Sequence, residues 1–228
     1  MEKIGIIAAM RPEMEMILDR MGEFDTTRFL GIEFNEGSIN DHDIVVVECG
    51  VGKVNAAMAT TLLISEFSCD FIINTGIAGG LPGVKTRDVI LATGLMWHDF
   101  DIRLFGYEYG QVPHMPKVFP VNPECVMMVK SILYKLKIDH KDGIILSGDK
   151  FVSSLDTIKE CENIGALACE MEGAAIAQVA LKSNVDFVVL RYISDVIGEE
   201  SQNDDYLKFE DEMAKRSIEI TLAIIESL

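Results

Sequence analysis

Residues 43–67 read DIVVVECGVGKVNAAMATTLLISEF, and this stretch indicates the class of fold more clearly than any other. Its first seven residues form an almost unbroken apolar run, which is typical of a strand buried on both faces. The segment Gly50-Val51-Gly52 then turns the chain, and the residues from about Lys53 to Phe67 predict a helix. A buried strand followed closely by a helix is the repeating unit of α/β proteins, so we expect that class.

The same alternation extends in both directions along the chain. Upstream, residues 3–9 (KIGIIAA) predict a buried strand, a helix follows near Pro12, and residues 28–39 predict a hairpin that turns at Asn35-Glu36-Gly37. Downstream, strands are predicted at 70–75, 88–93, 143–147, 166–170 and 186–194, and helices at 123–136, 172–182 and 204–228. The strand at 70–75 ends in the glycine-rich segment 76–80. We therefore predict one domain over residues 1–228, with three αβα layers around a central mixed, mostly parallel twisted sheet.

Composition narrows the class of partner. The formal net charge is −17, and such a surface repels phosphodiester backbones and anionic lipid, so neither nucleic acid nor a membrane is expected to bind. A small neutral or zwitterionic ligand remains compatible with this charge. The five scattered cysteines indicate a reducing compartment, and no signal peptide or bilayer-length apolar run is evident, so we expect a cytoplasmic protein.

The cofactor signatures are incomplete. Gly50-Val51-Gly52-Lys53 lacks the outer residues of a phosphate-binding loop, and the glycines at 76–80 lack the spacing of a dinucleotide fingerprint. His98-Asp99 with Asp101 could offer metal ligands, but one imidazole without a nearby cysteine favours a hydrogen-bonded loop. The sequence therefore predicts neither a cofactor nor a metal.

Acidic residues follow three of the predicted strands. Glu13 comes after the first strand, Glu170-Met171-Glu172 ends the strand at 166–170, and Asp195 closes the last strand. The carboxyl ends of strands form the ligand-binding edge of open α/β sheets, so these acids are expected to share a site. Glycosidic cleavage through an oxocarbenium-like transition state uses such a set, because one acid protonates the leaving group and another activates water.

Nearly the whole chain resembles the bacterial 5′-methylthioadenosine/S-adenosylhomocysteine nucleosidases of the nucleoside phosphorylase/hydrolase superfamily. The resemblance is carried by the segments KIGIIAAM with Glu13 beyond it, GVGKVNAA, DFIINTGIAGGL, FGYEYGQVP, ILSGDKFV, ACEMEGAAIA and VVLRYISDV. It implies hydrolysis of 5′-methylthioadenosine and S-adenosylhomocysteine to adenine and a thioribose sugar, without cofactor, by a homodimer.

The resemblance also implies catalytic roles. Asp195 would be the general acid that protonates N7 of adenine, and Glu13 the base that orients and deprotonates water, with Arg191 positioning that water. A structural ion pair without a catalytic role is the alternative for Arg191. Glu172 would hold the ribose 2′- and 3′-hydroxyls.

The remaining roles concern substrate binding. By resemblance, Met171 would pack on the sugar and Phe151 on the purine, whose edge the Val152 backbone would read; plain core packing is the alternative for both side chains. Val51 and Tyr206 would line the 5′-thio pocket, and Met10, Ile77 and Ser194 are expected at the same site. A neighbouring subunit would contribute Phe105, Tyr107 and Pro113, unless the aromatic loop at 97–120 forms only dimer core.

One position departs from the family pattern. Many relatives have T-G-S-A-G where this chain has Thr75-Gly76-Ile77-Ala78-Gly79, so a hydroxyl is missing beside the implied water and ribose site. Three other functions stay open: a purine nucleoside phosphorylase that uses phosphate in place of water, a 6-amino-6-deoxyfutalosine hydrolase, and a non-catalytic nucleoside-binding protein.

Overall fold

The computed structural model describes residues 3–228, apart from the side chains of residues 12, 13, 210 and 211. Its strands are β1 Lys3–Ala8, β2 Phe24–Phe29, β3 Ile32–Ile39, β4 His42–Glu48, β5 Phe71–Asn74, β6 Ile77–Gly80, β7 Val89–Trp97, β8 Phe119–Pro120, β9 Lys141–Ser147, β10 Ala166–Glu170 and β11 Asp186–Val196. Its α-helices are α1 Arg11–Met21, α2 Lys53–Ser65, α3 Pro123–Lys135, α4 Gly173–Ser183 and α5 Gln202–Ile225. Short 3₁₀ segments lie at Arg103–Phe105 and Leu155–Ile164.

The strands form one mixed sheet in the order β2-β3-β4-β1-β5-β11-β6-β10-β9-β7-β8. Strands β4, β1, β5 and β11 are parallel neighbours, and their central residues are fully buried aliphatics. Strand β7 pairs with both β9 and β11, so this half of the sheet curls back on itself. Helix α2 packs against α4, and α1 packs against α5, which covers β11. The predicted α/β class with a mixed central sheet is confirmed.

The segment at 76–80 differs from the prediction. It was expected only as the glycine-rich end of the strand at 70–75, but Ile77–Gly80 is a separate strand, β6, which pairs in parallel with residues 192–196 of β11. Strand β5 pairs with an earlier part of the same strand, residues 186–189. Gly76 joins the two pairings at a φ of 152°, a region that favours glycine. The chain therefore leaves the sheet briefly at Thr75-Gly76, and the functional site lies at this break.

The first hairpin also turns at a different place. The predicted turn at Asn35-Glu36-Gly37 is wrong, because these residues pair with β2 and β4 inside β3. The turn is Leu30-Gly31, where both residues have positive φ values of 49° and 86°. Two successive positive φ values are the signature of the tight hairpin turn whose twist matches that of the strands. Gly31 adopts its positive φ at little cost, whereas a positive φ is unfavourable for Leu30.

None of the described helices combines the length and the apolar character that crossing a membrane requires.

Candidate active site

A cavity opens beside the break between β5 and β6, at the edge where several parallel strands end. Ten of the residues proposed from sequence line it: Met10, Val51, Ile77, Phe151, Met171, Glu172, Arg191, Ser194, Asp195 and Tyr206. The remaining lining residues are Ala9, Thr75, Gly76, Ala78, Gly79, Cys169 and Glu170. The expectation that acids after separate strands share one site therefore holds for Glu172 and Asp195.

Asp195 is a buried carboxyl group whose hydrogen-bond partners are neutral. The residue is only 1% exposed and lies near the end of β11. Ser194 Oγ donates to Oδ1 at 2.6 Å, and Gln202 Nε2 donates to Oδ2 at 2.9 Å. Burial raises the pKa of Asp195 above its ordinary value, and the two hydrogen bonds oppose this only in part. The geometry suits a carboxylic acid that keeps its proton until a base accepts it.

Glu172 lies across the cavity, at the start of helix α4. Its residue is 6% exposed, and its Oε1 accepts a hydrogen bond from the Gly52 backbone N–H at 2.8 Å. This bond fixes the carboxylate against the glycine turn between β4 and α2, beside Val51. A carboxylate held in this way can accept hydrogen bonds from neighbouring hydroxyl groups of a ligand.

Arg191 is paired within the cavity wall. Its Nη2 donates to Glu170 Oε2 and to Asn74 Oδ1, and its Nη1 donates to the Leu190 carbonyl. Glu170 in turn accepts from Ser147 Oγ and from the backbone N–H groups of residues 172 and 173. The structural ion pair expected as one alternative for Arg191 is therefore present, although its Nε finds no hydrogen-bond partner among the described residues.

The Thr75-Gly76 break is held from behind by helix α5. Ser217 Oγ lies 2.6 Å from Thr75 Oγ1 and accepts from the Gly76 N–H at 3.0 Å. Thr221 Oγ1 donates to Thr75 Oγ1 at 2.8 Å. All of these hydroxyl groups are buried, so the Thr75 hydroxyl and the Gly76 N–H both find partners in α5. The position of Ile77 in the cavity wall follows from this anchoring.

The aromatic side of the cavity is formed by Phe151 and Tyr206. Their rings meet edge to face with centroids 5.4 Å apart, and Phe151 is 47% exposed, which rules out plain core packing for this ring. The Val152 side chain is buried beneath, while its carbonyl accepts a hydrogen bond from Gln202 Nε2 at 2.9 Å. The loop at 151–152 and the first turn of α5 thus form one connected wall.

Five residues proposed from sequence are not among the described lining of the cavity: Glu13, Phe105, Tyr107, Pro113 and the buried Val152. Phe105, Tyr107 and Pro113 lie on the loop at 97–120 and are absent from the described lining; Phe105 is 74% exposed. The Glu13 backbone lies in the first turn of α1, but its side chain lies outside the described residues. The roles of these five residues, like those of the lining residues, stay predictions.

The comparisons with known proteins agree on the family to which the chain is similar. The family model described as the phosphorylase superfamily matches residues 3–226. A 5′-methylthioadenosine/S-adenosylhomocysteine nucleosidase of Geobacillus sp. strain WCH70 is 38% identical over 230 residues, which cover 99% of each chain. The solved S-adenosylhomocysteine nucleosidase of Streptococcus pyogenes, in complex with 5-methylthiotubericidin, has a TM-score of 0.94 at 36% identity and covers 100% of this chain and 97% of its own. The chain belongs to the 5′-methylthioadenosine/S-adenosylhomocysteine nucleosidase family.

A further solved member of this family points to the same kind of site. The Neisseria meningitidis nucleosidase, in complex with methylthio-immucillin-A, has a TM-score of 0.94 at 34% identity and covers 100% of both chains. Membership confirms the predicted family and the prediction that the protein is an enzyme, an N-glycosyl hydrolase.

Other chemistries find less support in the cavity. Burial raises the pKa of the Cys169 thiol far above its ordinary value, so this group is a poor nucleophile although it lines the site. Among the described residues, no three His, Cys, Asp or Glu side chains are grouped so as to hold a metal ion. His98 is buried, and burial lowers the pKa of its imidazole, which matches a structural role in the loop.

Sequence reasoning missed two polar residues of the site. Gln202 contacts both Asp195 and Val152, but it lies between the strand predicted to end at residue 194 and the helix predicted to begin at residue 204, and no role was predicted for it. Asn74 was treated as part of a buried strand, although a polar amide at the end of an apolar run was the available signal. For Arg191 the need for an acidic partner was recognised, and only the fold shows that Glu170 supplies it.

Proposed function

We propose that this protein hydrolyses the N-glycosidic bond of 5′-methylthioadenosine and S-adenosylhomocysteine, releasing adenine and the corresponding 5-thio-substituted ribose. The observation that carries the proposal is the buried Asp195, with a raised pKa, in one cavity with Glu172 and Phe151. The family relatives act on these two substrates by name, which supports the same pair here.

The leaving group is the first requirement of the reaction. Adenine departs poorly as an anion, so protonation at N7 lowers the barrier to breaking the bond between C1′ and N9. Asp195 supplies that proton: its O–H bond breaks, the N7–H bond forms, and the electron pair of the glycosidic bond moves into the purine. General acid catalysis of this kind contributes about 100- to 10,000-fold.

Different residues bind the ribose and the purine. Glu172 accepts hydrogen bonds from the 2′- and 3′-hydroxyls, and its negative charge favours the positive charge that develops on the sugar. Met171 packs on the sugar, and Phe151 stacks on the purine with Tyr206 at its edge. The 5′-thio substituent extends toward Val51, which is 49% exposed at the mouth of the cavity.

Water attack completes the reaction. Glu13 takes one proton from water as the oxygen bonds to C1′, and Arg191 helps to hold this water.

Glu13→Gln keeps the shape and the hydrogen-bonding oxygen but removes the base, so kcat is expected to fall about 100-fold or more while adenine binding persists. Glu15→Gln on the same helix is the matched control, and an unchanged kcat in Glu13→Gln would move the base elsewhere.

The phosphorylase alternative requires cations that can hold phosphate. Arg191 lines the cavity, but its charge is already paired with Glu170. Arg11 lies in a different depression, with Arg28 and Glu48, and is not part of the described lining of the cavity. Water therefore fits this site better than phosphate.

A substrate panel tests the proposal directly. Adenosine, 5′-methylthioadenosine, S-adenosylhomocysteine, 6-amino-6-deoxyfutalosine and inosine are incubated with the protein, with and without phosphate, and free base and sugar are quantified. We expect adenine from the two thio-nucleosides without any need for phosphate. A strict phosphate requirement with a sugar 1-phosphate product supports the phosphorylase, and binding without release supports a non-catalytic protein.

We also propose a homodimer in which the loop at 97–120 reaches the neighbouring site. Leu104 and Phe105 on this loop are 91% and 74% exposed, and Val54 beside the cavity turn is 77% exposed. A second copy that covers these side chains would remove their apolar surface from water. Light scattering should give twice the chain mass, and Phe105→Asp should give monomers with a raised KM; a monomeric wild-type protein would rule out this arrangement. Cytoplasmic location stays a prediction.

A further inference from the structure

Gln202 is a buried polar residue at the first position of helix α5. It is 4% exposed and makes contacts with three separate segments. Its Nε2 lies 2.9 Å from Asp195 Oδ2 and 2.9 Å from the Val152 carbonyl oxygen, and its Oε1 lies 3.1 Å from the Gly198 N–H. One side chain therefore links the proposed acid to the loop that faces the purine.

The orientation of this carboxamide follows from its backbone partners. A carbonyl oxygen can only accept a hydrogen bond and a backbone N–H can only donate one, so Val152 must face the NH2 group and Gly198 the oxygen. The NH2 group then has its second hydrogen directed at Asp195. Because an amide nitrogen cannot accept, Asp195 Oδ2 is the acceptor of this bond whether or not the carboxyl group carries a proton.

We infer that Gln202 is a positioning residue, which holds Asp195 Oδ2 as an acceptor and thereby keeps the transferable proton of Asp195 on Oδ1. The inference rests on the proposed function for its catalytic meaning, whereas the link between Gln202 and Asp195 stands on the contacts alone.

The Ser194 hydroxyl permits this arrangement. Its single hydrogen has two acceptors within reach, Asp195 Oδ1 at 2.6 Å and the Ala78 carbonyl at 3.3 Å. When Oδ1 carries the proton, the hydroxyl turns to Ala78 and its oxygen faces Oδ1. When Asp195 has given up the proton, the hydroxyl donates to Oδ1 and stabilises the negative charge. Ser194 thus adapts to both states of Oδ1, while Gln202 is fixed.

Other charges near Asp195 bear on its titration. Repulsion from Asp205 on α5 raises the pKa of Asp195, and the hydrogen bond from Gln202 lowers it. The other titratable groups that share the cavity are Cys169 and Glu170 on β10, Glu172 at the start of α4, Arg191 on β11 and Tyr206 on α5. Removing the Gln202 donor is therefore expected to raise the pKa of Asp195 further, with the remaining charges unchanged.

Kinetics of two variants test the inference. In Gln202→Ala, kcat for adenine release is expected to fall about tenfold, because a hydrogen bond to a charged group is lost. The alkaline limb of the kcat profile should move upward by about one pH unit, as expected when a favourable interaction with the ionised form disappears. Gln202→Glu keeps the size but adds a second carboxyl group, so it should shift the alkaline limb of the kcat profile to a still higher pH. Asn203→Ala, exposed in the same turn, is the control and should match wild type.

A second measurement does not depend on turnover. The ¹³C chemical shift of the Asp195 carboxyl group is followed against pH in wild type and in both variants, with Asp195→Asn used to assign the signal. A higher pKa in both variants supports the inference; equal pKa values, or kcat within twofold of wild type in both variants, overturn it. If the wild-type protein releases no adenine but the pKa still moves, the proposed function fails and the control of Asp195 by Gln202 stands. Gln202→Glu decides the matter if Gln202→Ala does not fold.

Discussion

Two buried carboxyl groups face the same cavity from strands β10 and β11, which lie on either side of β6, and their surroundings differ in kind. Glu170 is paired with the Arg191 guanidinium and also receives hydrogen bonds from a hydroxyl and two backbone N–H groups. Among the described residues, Asp195 receives hydrogen bonds only from the neutral groups of Ser194 and Gln202, and burial raises its pKa. A buried carboxyl group whose partners are neutral donors can keep a proton.

This difference assigns the two acids to different tasks. Glu170 neutralises Arg191 and closes the start of helix α4, so it supports the shape of the cavity. Asp195 exchanges a proton with the substrate. Both residues lie at a strand end, so this position does not distinguish them. The nature of their nearest partners distinguishes them.

The largest expected effect is that of Asp195→Asn. The amide keeps the size and the buried position but cannot deliver a proton, so kcat for adenine release should fall about 100- to 10,000-fold. Circular dichroism and thermal unfolding should show an intact fold. Asp204→Asn, exposed in the first turn of α5, is the control; a kcat near wild type in Asp195→Asn would place the acid elsewhere.

Glu170→Gln should instead act on stability. It leaves the Arg191 charge buried without its counter-ion, so the free energy of unfolding should drop by about 3 to 5 kcal/mol in urea denaturation. Glu226→Gln breaks the exposed pair with Arg20 and should cost less than about 1 kcal/mol. If the two variants were equally stable, Glu170 would not be the structural partner described here.

The pH dependence separates the two acids further. Because the pKa of Asp195 is raised in the folded state, folding favours its protonated form. This contribution to stability is fully present below the pKa of the unfolded chain and is lost as pH rises through the folded pKa. Asp195→Asn should therefore gain stability relative to wild type as pH rises through that window. A stability difference that stays constant with pH would contradict the raised pKa.

Tyr206→Leu should give the smallest effect. It removes an edge-to-face contact with Phe151 that contributes about 0.5 to 1.5 kcal/mol, so KM should rise about two- to tenfold with little change in kcat. Tyr134→Leu, on an exposed ring of α3, is the control. A fall in kcat larger than the rise in KM would show that this ring also acts in the transition state.

The sequence was most informative where burial sets the pattern. The apolar runs at residues 3–8, 43–49 and 186–194 predicted strands that the structure confirms, and most residues of the site were found from motifs at their ends. The pattern ended the strand at Thr75 but did not predict that a second strand follows Gly76, because the break between them depends on hydroxyl groups supplied by Ser217 and Thr221 about 140 residues later. Gln202 was missed for a similar reason. Its contact with the Val152 carbonyl joins residues that are 50 positions apart in the sequence.

The first hairpin shows a different limit. Asn35-Glu36-Gly37 has the composition of a turn, but Phe34 and Ile39 on either side are buried, and burying them requires the strand to continue. Leu30-Gly31 has weaker turn chemistry and takes the turn instead. Tertiary burial outweighed local preference here, which single-segment reasoning does not detect.

The dependence of the cavity on helix α5 has a consequence for biosynthesis. Every other element described here precedes α5 in the chain, so the ribosome releases the rest of the cavity wall before it releases Gln202, Tyr206, Ser217 and Thr221. A nascent polypeptide would carry Asp195 and Glu172 for some time without the side chains that orient the proton donor and hold the turn. Turnover during translation is thereby delayed until the helix has emerged and docked.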